Sequence, residues 1–449
     1  MEKKTIIWYI KYITVLIKGV MILHSNIDVK EICNGVEIIK VNSDKFKTNE
    51  IAISFGIEAD KNNVSANALA IRLVASVCKK YPSVLELNKH LAFLYGASVQ
   101  PAISRVGKYQ VLTLGVSCLD DRFALDGKKI SEQSAELLSE LIFNPKLDEN
   151  GVFYEEDLNR EKNLLIQSIQ AEENDKRLFA LHRLEEEMFE NENFGVNRLG
   201  YIEDIERLTC EDVKNALDRI LSEAKIMISV VGSCDFDFVS KLFENKIASI
   251  NRNYTLCKES ENISFRKNVK QVVDRENVKQ GKLVLGFRVD CDSESKLTSA
   301  MRSAVDVFGG GPYSKLFANV REKMSLCYYC SARYIRKAKA VIVQCGCEEE
   351  NMDKAIAEIL NQLEQVKQGN FKSEFEFSKV GISDSVLSVN DTPQGIESWC
   401  ISQIADSEIK TPEQVAEENN AVTFEDVKKC ASLLKLDTVY RLVSESEAE

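Results

Sequence analysis

The stretch Val422-Thr423-Phe424-Glu425-Asp426-Val427-Lys428 repeats Leu208-Thr209-Cys210-Glu211-Asp212-Val213-Lys214 at five of seven positions. Each copy reads as the start of a helix. The Thr hydroxyl can cap the first turn, and the acidic pair after it faces the free N–H groups there. The same helix start written twice, far apart in one chain, points to an internal duplication, and a duplication fixes the domain count before any element is assigned.

Working outward from the two copies, the rest of the chain falls into the same order twice. In the first half a strand covers 50–57, an apolar helix 66–78, and a second helix carries Leu87, Leu91 and Leu94. An alternating strand follows over 109–118, then an amphipathic helix over 130–143 and long helical segments over 153–188, and a buried strand over 226–231 closes the half. The second half gives a strand over 283–289, helices over 299–307 and 313–323, a return strand over 340–347, and a helix over 352–366 with Ile356, Ile359, Leu360 and Leu363 on one face. Asn390-Asp391 answers Asn174-Asp175. Residues 251–279 are polar and charge-rich without clear periodicity, which reads as a linker. The expected organisation is an N-terminal extension over 1–25, one α+β domain over 26–250, the linker over 251–279, and a second homologous α+β domain over 280–449. Each domain should be a mostly antiparallel sheet packed against helices. A dinucleotide-binding fold is excluded, because Gly309-Gly310-Gly311 follows a helix where that fold needs a Gly-rich turn after a strand.

Composition agrees. A chain of 449 residues, 44% hydrophobic and 29% charged with only 6 Pro, is a folded protein of more than one domain. Its net charge of −12 would meet nucleic acid with repulsion, so no nucleic-acid partner is expected. The 13 Cys are odd in number and scattered through apolar segments, which fits free thiols in a reducing cytoplasm. Cys327-Tyr328-Tyr329-Cys330 has the gap of a zinc or redox motif and Cys345-Gly346-Cys347 follows it. Because Cys345 and Cys347 fall in an alternating strand pattern, buried core cysteines are the favoured reading. Near the N-terminus, Lys11 and Lys18 interrupt the apolar runs before either reaches the roughly 20 residues of a membrane span. The preferred reading makes Met21 the true start, with residues 1–20 an over-extension; the competing reading is a basic interfacial helix.

The sequence Phe308-Gly309-Gly310-Gly311-Pro312-Tyr313-Ser314-Lys315-Leu316-Phe317-Ala318-Asn319-Val320-Arg321-Glu322-Lys323, followed by Leu326-Cys327-Tyr328-Tyr329, resembles the second-domain signature of the pitrilysin/insulinase metallopeptidases, the inverzincins. Leu199-Gly200 with Ile205, Leu208, Thr209 and Asp212, and then Val230-Val231-Gly232, resemble that family's first-domain closing segments. The resemblance spans residues of about 30–445 in the family's order and implies two homologous α+β domains in one chain.

It also implies a chemistry that this chain lacks. The family's first-domain helix bears H-x-x-E-H, two zinc ligands and a general base, with a third Glu ligand on a later helix. Here Ile71, Val74 and Ala75 stand at the three motif positions and Ser168 at the fourth, so no metal is expected there and no cofactor in this chain. The only histidines are His24, His90 and His182, none at helical ligand spacing. The second-domain Arg and Tyr, seven residues apart, survive as Arg321 and Tyr328. In active relatives such a pair stabilises the oxyanion of the attacked peptide carbonyl. Gly309, Gly310 and Gly311 read either as a helix cap whose first member needs φ > 0, or as a place where substrate or a facing domain approaches closely. Pro312 is expected to begin the next helix.

The resemblance therefore implies a cytoplasmic, non-catalytic bacterial subunit of a peptidase heterodimer. Arg321 and Tyr328 would act in trans, Gly309–Gly311 would line a peptide chamber, and zinc would sit in the partner. Its substrate would be a peptide or unfolded polypeptide. The alternative is a scaffold or peptide-binding protein of the same fold. An active peptidase with unusual ligands has least support.

Overall fold

The computed structural model describes residues 27–255, 265–289 and 297–445. The N-terminal extension, Met21 and His24 lie outside them. Among the described residues the strands form two sheets. The first is built from β1 (Ile27–Cys33), β2 (Val36–Asn42), β3 (Thr48–Glu58), β4 (Ser98–Val106), β5 (Tyr109–Leu119) and β6 (Lys225–Gly232), in the order β1-β2-β6-β3-β5-β4. The second is built from β7 (Lys270–Glu276), β8 (Lys282–Val289), β9 (Tyr329–Ile335), β10 (Ala340–Gly346) and β11 (Leu434–Ser444), in the order β7-β11-β8-β10-β9. In each sheet the pairing is antiparallel except at one place: β2 runs parallel to β6, and β7 parallel to β11. Laid over one another, β2-β6-β3-β5-β4 and β7-β11-β8-β10-β9 are the same path, so the duplication extends from sequence to topology.

That match corrects the reading of residues 251–279 as linker throughout. β7 lies inside them and is the counterpart of β2. Its sequence, Lys270-Gln271-Val272-Val273-Asp274-Arg275-Glu276, alternates between half-buried and exposed positions at the sheet edge. Charged residues suit an unpaired edge and mask the strand pattern.

Both repeated heptads fold as their sequences require. Thr209 accepts from the Asp212 N–H while Asp212 accepts from the Thr209 N–H, and Thr423 and Asp426 make the same reciprocal cap. The helix expected over 313–323 is different. Pro312 lies in a turn, and regular structure begins at Leu316 as a π-helix, Leu316–Lys323. A π-helix is a rare, wider-wound form that is frequent at functional sites.

The central strands are buried on both faces, although their sequences alternate. Ser54 and Thr113, polar members of that alternation, face each other across β3 and β5 and share a buried hydrogen bond of 2.8 Å. One face of each sheet is covered by its own half's helices. The other is covered by an exchange. The first-half helix Lys176–Met188 packs Ala180 and Leu184 against Val284, Ile342, Tyr440 and Leu442 of the second sheet. In return, the second-half helix Pro393–Ile401 packs Ile396 and Cys400 against Ile39, Met227 and Val231 of the first. Asp175 caps the one helix, and Asn390-Asp391 leads into the Thr392 cap of the other. No described helix is long and apolar enough to cross a membrane.

Candidate functional site

The helix Val64–Ser76 holds the positions where the resemblance calls for zinc. Ile71, Val74 and Ala75 are buried in the first core. Hydrocarbon side chains offer no lone pair to a metal and no base to a water. Arg72, the charged residue among them, is paired with Glu161 of the helix Glu155–Asn174 at 3.3 Å. Next to that pair, Arg160 reaches the Ser76 hydroxyl at 3.0 Å. Ser168 spends its hydroxyl on the Leu164 carbonyl at 2.8 Å. His90 stacks on Tyr81, and His182 lies 3.9 Å from Glu172, so the two described histidines sit on different elements. Burial lowers the pKa of both. These residues do not fit a catalytic zinc.

The second-half residues are placed by a tight reversal after the π-helix. Met324 donates to Asn319 and Leu326 to Val320, and Ser325 takes the left-handed conformation (φ 51°) that turns the chain back. Tyr328 then donates its N–H to the Gly346 carbonyl at 2.9 Å, the first rung toward β10. Its ring stays 63% exposed, with the hydroxyl 3.3 Å from Glu348. Arg321 projects from the last turn of the π-helix. Its guanidinium lies over the Phe317 ring at 4.5 Å and its Nε is 3.5 Å from Glu322, leaving the side chain 41% exposed. The turn thus brings a partly exposed guanidinium and a phenol to one region of the second half. Both can donate hydrogen bonds to a ligand oxygen.

Of the two expectations for the glycines, the left-handed cap fails and the close approach of another backbone is met at Gly309. None has a positive φ, so Gly309 is no left-handed cap. A Cβ on Gly309 would stand 2.6 Å from the Ala332 nitrogen of β9, which means that the helix Leu297–Gly309 ends in close contact with its own sheet. Gly310 sits against Asp306, which accepts from the Tyr313 hydroxyl at 2.7 Å, and Gly311 against the Tyr313 ring. The close approach at Gly309 comes from this chain's own backbone.

One feature is visible in the sequence and reads there as core packing: the two short cysteine pairs come together in the fold. The Sγ atoms of Cys327, Cys330 and Cys345 all lie within 4.8 Å of one another, and among the described residues this is the only such group of His, Cys, Asp or Glu. Cys347, also fully buried, lies two residues beyond Cys345. Hydrogen bonds from Cys330 and Cys345, with the Arg321 charge behind them, hold the Cys327 thiol below the usual thiol range. The cluster is therefore a neighbour of the Arg321 and Tyr328 turn.

Comparison with known proteins gives the family. Residues 207–380 match the family described as "Peptidase M16 inactive domain". A protein of Bacillus subtilis strain 168, "Probable inactive metalloprotease YmfF", is 30% identical over 404 residues, 90% of this chain and 94% of its own. A conserved protein from Enterococcus faecalis V583 superposes with a TM-score of 0.85 at 24% identity, covering 95% of this chain and all of that one. A "peptidase M16 inactive domain" from Pseudomonas fluorescens does so at 0.74 and 14%, covering 94% of this chain and all of its own. The match to the Bacillus protein covers nine-tenths of this chain, so it spans both halves: the chain belongs to the pitrilysin/insulinase-like peptidase M16 family, as an inactive homologue.

Proposed function

We propose that this chain is the non-catalytic subunit of a cytoplasmic M16 heterodimer, lending Arg321 and Tyr328 to a zinc-bearing partner that cleaves a peptide or unfolded polypeptide. The observation that carries the reading is Tyr328: a large aromatic anchored by its backbone to Gly346 yet 63% exposed, next to a turn that leaves Arg321 partly open. Burial would be the ordinary fate of such a ring if it served only packing. The three motif positions of the zinc helix are filled with hydrocarbon while an Arg and a Tyr stand at the donor spacing, which is the division expected when two chains share one site. A guanidinium and a phenol facing a zinc-bound hydroxide would stabilise the oxyanion that forms on the substrate carbonyl.

The test is to combine the chain with a zinc-bearing M16 homologue from the same genome and measure peptide hydrolysis. Arg321→Ala and Tyr328→Phe should each lower kcat by roughly ten- to a thousandfold. KM and subunit affinity should hardly change, because an interaction made only in the transition state is lost from kcat and kcat/KM together. Unchanged kcat in both variants would make the chain a scaffold.

A further inference from the structure

We propose that Cys327, Cys330, Cys345 and Cys347 form a closed structural site for a thiolate-preferring divalent cation of the zinc type, fastening the turn that carries Tyr328 to the second sheet. The proposal revises the expectation that this chain holds no metal, and it does not depend on the heterodimer reading. The topology assembles the site from two short pairs. Cys330 on β9 stands directly opposite Cys345 on β10 in the antiparallel register. Cys347 lies two residues beyond Cys345, and the reversal at Met324–Leu326 returns Cys327 to the same place.

The distances suit a metal. A tetrahedral zinc with Zn–S near 2.3 Å sets its sulfurs about 3.8 Å apart, and three of these sulfurs already lie within 4.8 Å of one another. Cys347, two residues beyond Cys345 and fully buried, is the candidate for the fourth position. The four side chains are 9%, 4%, 0% and 0% exposed, which matches a structural site with every position filled by protein. All four are free thiols, and a single disulfide would use two and leave two. Each cysteine would bind as its thiolate, any thiol proton leaving to solvent, and four thiolates on a divalent cation would leave an excess of two negative charges on the centre. Two cations stand nearby: the charge of Arg321 reaches Cys327 and that of Lys282 reaches Cys347.

The experiment uses the full chain, purified under reducing conditions from zinc-supplemented cells, with elemental analysis. About one zinc per chain is expected. Cys330→Ser and Cys345→Ser should each lose it, while Cys400→Ser, equally buried in a different core, should keep it. Should the serine variants fail to fold, cobalt(II) exchange into the wild type keeps the proposal exposed to failure. Tetrahedral thiolate ligation would give intense near-ultraviolet charge-transfer bands and visible ligand-field bands. Metal-free wild type that melts cooperatively and develops no cobalt bands would overturn the site. So would zinc retained by folded Cys345→Ser, or a wild-type mass showing a disulfide among the four.

Discussion

Gln394, in the helix that the second half lays over the first sheet, donates a hydrogen bond of 2.9 Å to the Glu50 carboxylate of β3. One turn further along that helix is Glu397, only 8% exposed. Burial, and then the negative charge of Glu50, push its carboxyl from 4.5 up to about 7. The packing between the halves therefore contains an acid that prefers to be neutral.

The sign of its pH dependence follows. A carboxyl with a raised folded pKa contributes fully below its unfolded value of 4.5, and the contribution is lost as pH rises through about 7. Wild type should melt lower at pH 8 than at pH 5. Glu397→Gln, which keeps the neutral shape, should match wild type near pH 5 and exceed it at pH 8, by at most about 3 kcal/mol. Parallel pH profiles for the two proteins would show that Glu397 does not titrate in this range.

Restoring a family-like zinc motif should damage the fold. Val74 is fully buried, and Val74→Glu places a carboxylate in the first core with no partner. A loss of about 2–5 kcal/mol in denaturant unfolding is expected. The triple change Ile71→His, Val74→Glu, Ala75→His should give no peptidase activity, since Ser168 still occupies the fourth position. Peptide cleavage by the triple variant alone would refute this placement.

Gly309→Ala tests whether the glycine run serves the chain itself. The new methyl would meet the Ala332 backbone, which cannot swing aside like a side-chain tip. A destabilisation of about 1–3 kcal/mol is expected. If the glycine served only to admit substrate, the melting temperature would stay where it is and peptide affinity would change instead.

The two capping boxes should behave alike. Thr209→Ala and Thr423→Ala each remove an acceptor from the third helical N–H, and each should cost about 1 kcal/mol. Chemical unfolding of the two variants would detect an inequality, which would mean that one helix start has lost its structural role since the duplication.

What could be read from the sequence was whatever repeats or periodicity expressed locally. The helix starts at Thr209 and Thr423 and the strands around Ile53 and Leu285 are written in neighbouring residues, and the zinc positions could be aligned from the same helix. β7 was missed because an edge strand of Lys270, Asp274, Arg275 and Glu276 resembles a solvated linker. The exchanged helix at Ile396 and Cys400 could not be assigned a partner, because its partner lies in the other half. The cysteine cluster left a visible trace, two short Cys pairs. Which cysteine faces which depends on the register of β9 and β10, set by the reversal at Arg336–Ala338 and the left-handed Lys339, and spacing alone does not contain that.

The crossed helices have a consequence for what one half could be by itself. A fragment holding only the first sheet would keep the helix Lys176–Met188 with nothing to rest on and would present Ile39, Met227 and Val231 bare to water. The second sheet alone would be stripped in the same way. Each fragment carries the covering that the other lacks, so the two are complementary like hand and glove, and severing the peptide connection between them should not set them apart. For the same reason a lone half could hide its own sheet only by borrowing the arm of another copy. The present chain embodies that arrangement in a single polypeptide.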